Sequence, residues 1–301
     1  MARNPADDDD QAVVQYYLVC LIDILGQRQR LQEWPQLPSD GQPSDELVDA
    51  LKKTVGTVIS YREMFETYFS EFSGPPTSDA FKRLSTEQRK KFLRVKESVI
   101  SKQQFSDTFV FYTPVMNNYG DISGSALHRL LSAAATVMIV GLASNAPIRG
   151  AISVGAGMEI EPGNFYGPAL ATAHALESKV AGYPRVVLSQ EAVDLTFRES
   201  GFSLDPEIEF VSSAYQVQHI RPLVHKDTDD QSIVDFMGEE LYSGVSTEPE
   251  VVSAVGKAYR FACSELSRYK AQSNEKLAQR YSRLVHYMES RLYIWGIEKE
   301  A

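Results

Sequence analysis

Cysteine is scarce in this chain, with only Cys20 and Cys263 among 301 residues. Neither sits at metal-ligand spacing and two thiols make no disulfide framework, so a stapled secreted domain is excluded and a reducing compartment is expected. Long hydrophobic runs are missing as well. The longest, "AAATVMIVGLA" (Ala133–Ala143), falls far short of the ~20 residues a membrane-spanning helix needs. The start, "MARNPADDDD", lacks the apolar core of a signal peptide. Basic charge is in deficit: 30 Lys and Arg stand against 40 Asp and Glu. The net charge of −10 disfavours nucleic acid and anionic membrane as partners. No internal repeat is visible. The one low-complexity segment is "DDDD" (Asp7–Asp10), which makes residues 1–12 an expected disordered, solvated acidic tail. These absences leave a soluble cytoplasmic protein as the expectation.

An apolar fraction of 43% in a chain this long can bury a substantial core. In "LVCLIDILGQRQRL" the run Leu18–Ile22 is apolar at every position and reads as a central strand covered on both faces, with Cys20 a buried thiol. A Pro/Gly/Ser-rich loop leads to a helix start at Ser44. Residues 45–72 then read as one helix with Leu47, Leu51, Val55, Val58 and Ile59 at helical spacing. Ser85 and Gln88 form a capping box opening a short basic helix, so the block at about 35–95 is a helical insertion between strands.

Two β-rich runs in "VISKQQFSDTFVFYTPV" flank Ser106 and Asp107 as a hairpin turn. A helix over 125–145 follows, then a strand at Ile148–Gly157, a helix entered near Gly167, a strand in "RVVLS", a helix opening at Ser189 and a strand in "QVQHIRPLVH". Residues 247–301 form a helical C-terminal extension, opened by a capping box of Thr247 and Glu250. One helical face there carries Val251, Val255, Ala258, Ala262, Leu266 and Tyr269. The other carries Leu277, Tyr281, Leu284, Met288, Leu292 and Trp295, near the heptad spacing of a helix that packs on a partner. The element order is that of an α+β protein.

Asp23 closes the apolar strand. A buried acid costs several kcal/mol unless paired or solvated, so a positive partner is expected beside it; the plainer alternative is a cap for the next helix. If the first strand pairs with the hairpin, Asp107 converges on the same sheet end. Two carboxylates without Cys or His make a hard oxygen site suited to Mg²⁺ or Mn²⁺. Such ions hold phosphates, and a pair of them can clamp both oxygens of an in-line displacement. Gly26 and Gln27 follow Asp23 at a helix start, where free N–H groups favour anions. Arg149 precedes "GAISVG", where a strand would aim it at one end of the sheet. "FYGPALATAHALES" sets an aromatic-Gly-Pro turn before a helix. Turn acids, a surface arginine and simple turn chemistry are the plain alternatives.

These motifs resemble those of class III nucleotidyl cyclases. "LIDILGQR" looks like their first-strand metal motif, F-x-D-I-x-G-F, and "QFSDT" like their second-metal hairpin, usually G-D. "RGAISVG" is similar to their R-x-G-I-x-x-G strand, and "YGPALATAHALES" stands where they carry W-G-D-x-V-N-x-A-x-R-x-E-S. The match runs over roughly residues 14–195, interrupted by the insertion. It implies a ferredoxin-like, palm-type antiparallel sheet flanked by helices, with a catalytic domain over 13–246. Ala171 and Ala175 occupy the places of the Asn and Arg that steady the transition state in ordinary adenylyl and guanylyl cyclases. The variant "YGPAL…A…LE…A.YPRV" instead resembles the pyrimidine nucleotide cyclases of bacterial Pycsar anti-phage systems, which implies a cytoplasmic homodimer whose cyclic nucleotide is read by a separate effector protein.

The resemblance further implies that Asp23, the carbonyl of Ile24 and Asp107 hold two divalent cations, Mn²⁺ or Mg²⁺. Gly26, Gln27 and Arg149 would hold the β- and γ-phosphates. Arg28, Arg185 and Arg221 are candidates for the missing cation. Gln103 and Asn164 stand at the two base-reading positions, and two amides suit either pyrimidine edge. UTP is preferred to CTP. A purine cyclase, a non-catalytic nucleotide-sensing domain and a polymerase-like palm are the rival readings, the last disfavoured by the acidic charge.

Overall fold

The computed structural model describes residues 13–26, 42–71, 79–95, 99–117, 120–245 and 249–299. The acidic tail, Gln27, Arg28 and Thr247 lie outside them. The first strand, β1 (Gln15–Ile24), is central as its apolar run requires. It pairs antiparallel on one side with β3 (Thr108–Pro114) and on the other with β4 (Ile148–Glu161). Strand β2 (Ser101–Phe105) joins β3 through the two-residue turn Ser106–Asp107, with Ser106 at φ 56°. The spatial order is β2-β3-β1-β4, continued by β6 (Val186–Leu188), β8 (Ser232–Val234) and β7 (Val224–Lys226). The short β5 (Asn164–Tyr166) folds back on the far end of β4. The sheet is therefore mixed rather than wholly antiparallel, because β6 runs parallel to β4.

Among the described residues three helices lie between β1 and β2: α1 (Asp45–Glu71), α2 (Asp79–Arg83) and α3 (Thr86–Val95). Ser44 caps α1 through the Leu47 N–H. The box before α3 closes in both directions, Ser85 N–H to Gln88 Oε1 at 2.7 Å and Gln88 N–H to Ser85 Oγ at 3.2 Å. The buried face of α1 is Thr54, Val58, Tyr61, Phe65 and Phe69. Leu51, Val55 and Ile59 instead face solvent, so of the expected stripe Val58 is the member that reaches the core. The aromatics decide the face, because each buries more area than the aliphatics one helical step away; Phe65 stacks on Phe111 of β3 with centroids 3.9 Å apart.

Side chains alternate across a strand. Leu18, Cys20 and Ile22 lie on the sheet face that carries Phe111 and meets α1, while Tyr17, Leu21 and Asp23 share the other. On that second face the Phe165 ring of β5 packs against Tyr17 and Tyr112, and α5 (Pro168–Leu176) lies on β4, with Ser153 Oγ donating to the Ala169 carbonyl at 2.7 Å. Preceding α5 in the chain, α4 (Gly124–Ala143) is long and apolar enough by composition to cross a membrane, yet it is almost wholly buried in this core.

After α5 come α6 (Gln190–Thr196), capped by Ser189 as its sequence indicates, and α7 (Pro206–Tyr215). "QVQHIRPLVH" is not a strand: Gln216–Ile220 continues α7 as a wide π-helical turn, Arg221–Leu223 is a 3₁₀ turn, and only Val224–Lys226 is extended. Next come α8 (Glu239–Val245), α9 (Pro249–Ala271) and α10 (Glu275–Glu289). The extension packs on its own chain. Val255, Ala258, Tyr259 and Ala262 are buried in α9, which lies on α4, and Tyr281, Leu284, Met288, Leu292 and Trp295 are buried too. Most of the heptad-like stripe is therefore covered within its own chain. Tyr287 Oη accepts from the Met237 N–H at 3.0 Å, and Trp295 Nε1 donates to the Met237 carbonyl at 3.0 Å.

Candidate active site

The pairing register assembles the site. Asp23 stands opposite Thr108 on one side and Arg149 on the other, so three neighbouring strands present these side chains on one face at one sheet end. The hairpin turn brings Asp107 beside them, and its carbonyl accepts from the Ile24 N–H at 3.3 Å. Strand β1 ends there: the Leu25 N–H bonds the Pro147 carbonyl at 2.9 Å, and Gly26 turns the chain at φ 86°, a conformation glycine adopts without cost. Close pairing of β1 and β4 depends on Gly150, where a Cβ would lie 2.5 Å from the Leu21 carbonyl oxygen.

Thr108 Oγ1 donates to Asp23 Oδ1 at 2.9 Å, and the Arg149 guanidinium lies 3.5 Å from Asp23 Oδ2. The stronger partner of Arg149 is Glu177, to which both Nε and a terminal nitrogen are bound. Glu177 is almost fully buried and sits where α5 widens into the π-helical turn Glu177–Ala181, a feature often found at functional sites. Burial lifts the Asp23 carboxyl to about 6, and the charges of Glu177 and Asp107 push the same way. The Thr108 hydrogen bond and Arg149 oppose them without prevailing. Three carboxylates face one arginine. The site is short of positive charge.

Asp23, Ile24, Gly26, Asp107 and Arg149 are thus brought together, and Gln27 lies outside the described residues. Gln103 and Asn164 are near one another but not part of that cluster. Gln103 stands level with Val110, and hence with Leu21, two strands from Asp23; its Oε1 accepts from the Phe165 N–H at 3.0 Å, next to exposed Asn164. Arg185 is spent elsewhere. Its five N–H donors bind Asp227, Asp229 and the carbonyls of Val180 and Ala181. Arg221 donates to the carbonyls of Phe197 and Arg198, away from the site. Neither replaces the missing cation. Ala171 and Ala175 lie on the outer part of α5, exposed and half-buried.

Thr108 and Glu177 are the site residues that sequence reasoning missed. Thr108 follows Asp107 directly, and Glu177 lies within the quoted "HALES", but only the fold shows that they touch Asp23 and Arg149. No group of three or more His, Cys, Asp or Glu among the described residues forms a ready metal cage. The donor set nevertheless fits a divalent ion: two carboxylates, one of them poorly compensated, with oxygen the only ligand atom on offer.

No protein-family model and no curated protein matches the chain. Among solved structures it is similar to the catalytic core of a rhodopsin-guanylyl cyclase with converted specificity in complex with ATPαS. The identity is 12%, over 64% of this chain and 87% of that one, with a TM-score of 0.36.

Proposed function

We propose that this chain is a nucleotidyl cyclase with a ferredoxin-like, class III-type core, and that it converts UTP to 3′,5′-cyclic UMP and pyrophosphate. The observation that carries the reading is the alignment of Asp23 between Thr108 and Arg149, with Asp107 in the adjoining turn and an excess of negative charge around them. The strand order β2-β3-β1-β4 with crossing helices is that of a split βαβ sheet. The four cyclase-like motifs fall on β1, the β2–β3 turn, β4 and α5 in the order the resemblance requires.

Asp23 and Asp107, with the Ile24 carbonyl, would hold two divalent cations, Mg²⁺ or Mn²⁺. When bound, such ions acidify the ribose 3′-hydroxyl and neutralise the triphosphate. The chain's own residues orient the substrate. Glu177 fixes the Arg149 fork toward the phosphates, Thr108 fixes the Asp23 carboxylate, and the open turn at Gly26 lets backbone approach the phosphate chain. Most of the acceleration would come from positioning and charge neutralisation.

Gln103 and Asn164 lie away from Asp23, so base reading and metal binding would be completed by two copies of the chain in a homodimer. Asp23 and Arg149 touch within one chain, so a mixture of Asp23→Ala and Gln103→Ala chains is the informative complementation: recovery of activity on mixing supports shared sites. The product would serve in the cytoplasm as a messenger read by a separate effector in anti-phage defence, as the Pycsar resemblance implies. CTP is the alternative substrate.

Incubation with each of the four nucleoside triphosphates and Mn²⁺ tests the reading. Cyclic UMP from UTP is the expected result. Product from ATP or GTP alone would overturn the pyrimidine assignment, and triphosphate binding without pyrophosphate release would make the chain a nucleotide sensor.

A further inference from the structure

The C-terminal hairpin of α9 and α10 leans over the same sheet end. A groove of about 710 Å³ runs between them, lined on the sheet side by Gly26, Pro147 and Arg149 and on the hairpin side by Phe261, Tyr269 and Tyr281. It meets a second cavity of about 240 Å³ at Gly182, Tyr183 and Arg280, and Lys276 and Arg283 line the outer part of that cavity.

The cations around this cleft differ in what they already hold. Arg268 is paired with Glu265 and Tyr269, Arg283 lies 3.7 Å from Asp229, and all the donors of Arg185 are used. Arg280 and Lys276 have no hydrogen bond or ion pair among the described residues. They stand four residues apart on one face of α10, where like charges disfavour each other. Two unneutralised cations facing one concavity, in a chain of net charge −10, call for an anion. Arg280 lines both cavities, on the route that leads from Arg149 outward.

We propose that this cleft holds the outer phosphates of the substrate, with Arg280, seconded by Lys276, as the phosphate-binding cation supplied by the C-terminal hairpin. The proposal rests on the cyclase reading and assigns the extension a part in it. A guanidinium fork matches phosphate oxygens two at a time. As the ribose 3′-hydroxyl gives up its proton to solvent and its oxygen bonds to the α-phosphorus, the bond from that phosphorus to the bridging oxygen breaks and pyrophosphate departs with the electron pair. Arg280 would receive the charge that accumulates on that leaving group.

Inorganic tripolyphosphate is a probe that needs no knowledge of the base. Calorimetric titration of the full chain in Mg²⁺ is expected to show binding that Arg280→Ala weakens about tenfold or more. Arg280→Lys should restore most of it, with the unfolding midpoint unchanged in both variants. In turnover, Arg280→Ala should raise KM for the triphosphate more than it lowers kcat. Tripolyphosphate binding that is absent, or equal in wild type and Arg280→Ala, would overturn the proposal even if the enzyme turns over. Binding that depends on Arg280 in a protein that cyclises none of the four triphosphates would sink the cyclase reading and leave the anion cleft standing.

Discussion

Two arginine–carboxylate clusters stand on neighbouring strands at one end of the sheet, and they are built to opposite ends. Around Arg185 every donor is used: two aspartates and two carbonyls accept from it, Tyr183 lies against its guanidinium 4.5 Å from the ring centre, and the side chain is 2% exposed. Around Arg149 one guanidinium serves Glu177 and, more loosely, Asp23, while Asp107 adds a third negative charge. A closed network of the first kind joins α5 and the β7–β8 turn. A deficit of the second kind is costly, and under the proposed function it is the place where a cation binds.

The largest expected effect comes from removing the shortage. Asp23→Ala and Asp107→Ala should each lower turnover by at least ~10³-fold, equivalent to about 4 kcal/mol in the barrier. Both variants should stay folded, and Asp23→Ala should match or exceed the wild type in metal-free thermal stability, because a buried acid is gone. Mn²⁺ should raise the wild-type melting temperature and leave that of Asp23→Ala unmoved. Near-wild-type turnover in either variant would remove the metal-site reading.

Arg185→Ala is the mirror experiment. It strands Asp227 and Asp229, and loss of one partner from a buried pair costs about 3–5 kcal/mol. Urea unfolding should show a drop toward the lower end of that range, since Asp229 is partly exposed. A loss below about 1 kcal/mol would erase the contrast with Asp23.

The C-terminal hairpin allows a test of similar kind. Trp295→Ala should cost about 3 kcal/mol, because it empties a core position and orphans the Met237 carbonyl. That loss should be independent of protein concentration. A concentration-dependent loss of activity would instead restore a dimer-bracing role for the tail.

Acid titration probes the closed cluster from its other side. The Arg185 hydrogen bond, outweighing burial, holds the Asp229 carboxyl below its ordinary value. The folded form therefore binds its proton less readily than the unfolded chain does. Its stabilising share is fully present above the unfolded value of about 3.9, and disappears as pH falls through the lower folded value. The corresponding slope in stability should shrink in Arg185→Gln, where the Gln231 N–H and Arg283 still favour the carboxylate; an identical acid profile in both proteins would refute the assignment.

The smallest effect concerns the turn that carries Asp107. Ser106 holds a positive φ that glycine adopts freely, so Ser106→Gly should stabilise the hairpin by about 1 kcal/mol, seen as a higher urea midpoint. A destabilisation would show that the serine hydroxyl matters more than the backbone strain.

The sequence by itself determined the frame of this protein. An unbroken apolar run can only be a strand with both faces covered, and β1 is that strand. Side-chain chemistry local to a few residues fixed the caps at Ser44, Ser85 and Ser189 and the turn at Ser106–Asp107. The same local signals placed Asp23, Asp107 and Arg149 at strand ends. What depended on choosing between chemically similar faces was left to the tertiary structure. Phe65 and Phe69, rather than Leu51 and Val55, turned α1 inward, since the sheet offered Phe111 as a stacking partner. The stripe from Leu277 to Trp295 has the spacing of an intermolecular seam, yet α9 and the Met237 loop cover it within one chain. "QVQHIRPLVH" alternates like a strand and is mostly helical, because α7 continues into it. Which arginine is spent and which is free is invisible in sequence, where Arg149, Arg185 and Arg280 are three equal charges. Only the fold sets Asp227 and Asp229 around one, Glu177 against another, and no ion-pair partner among the described residues beside the third, because ion pairing depends on distances that residues far apart in the chain acquire together.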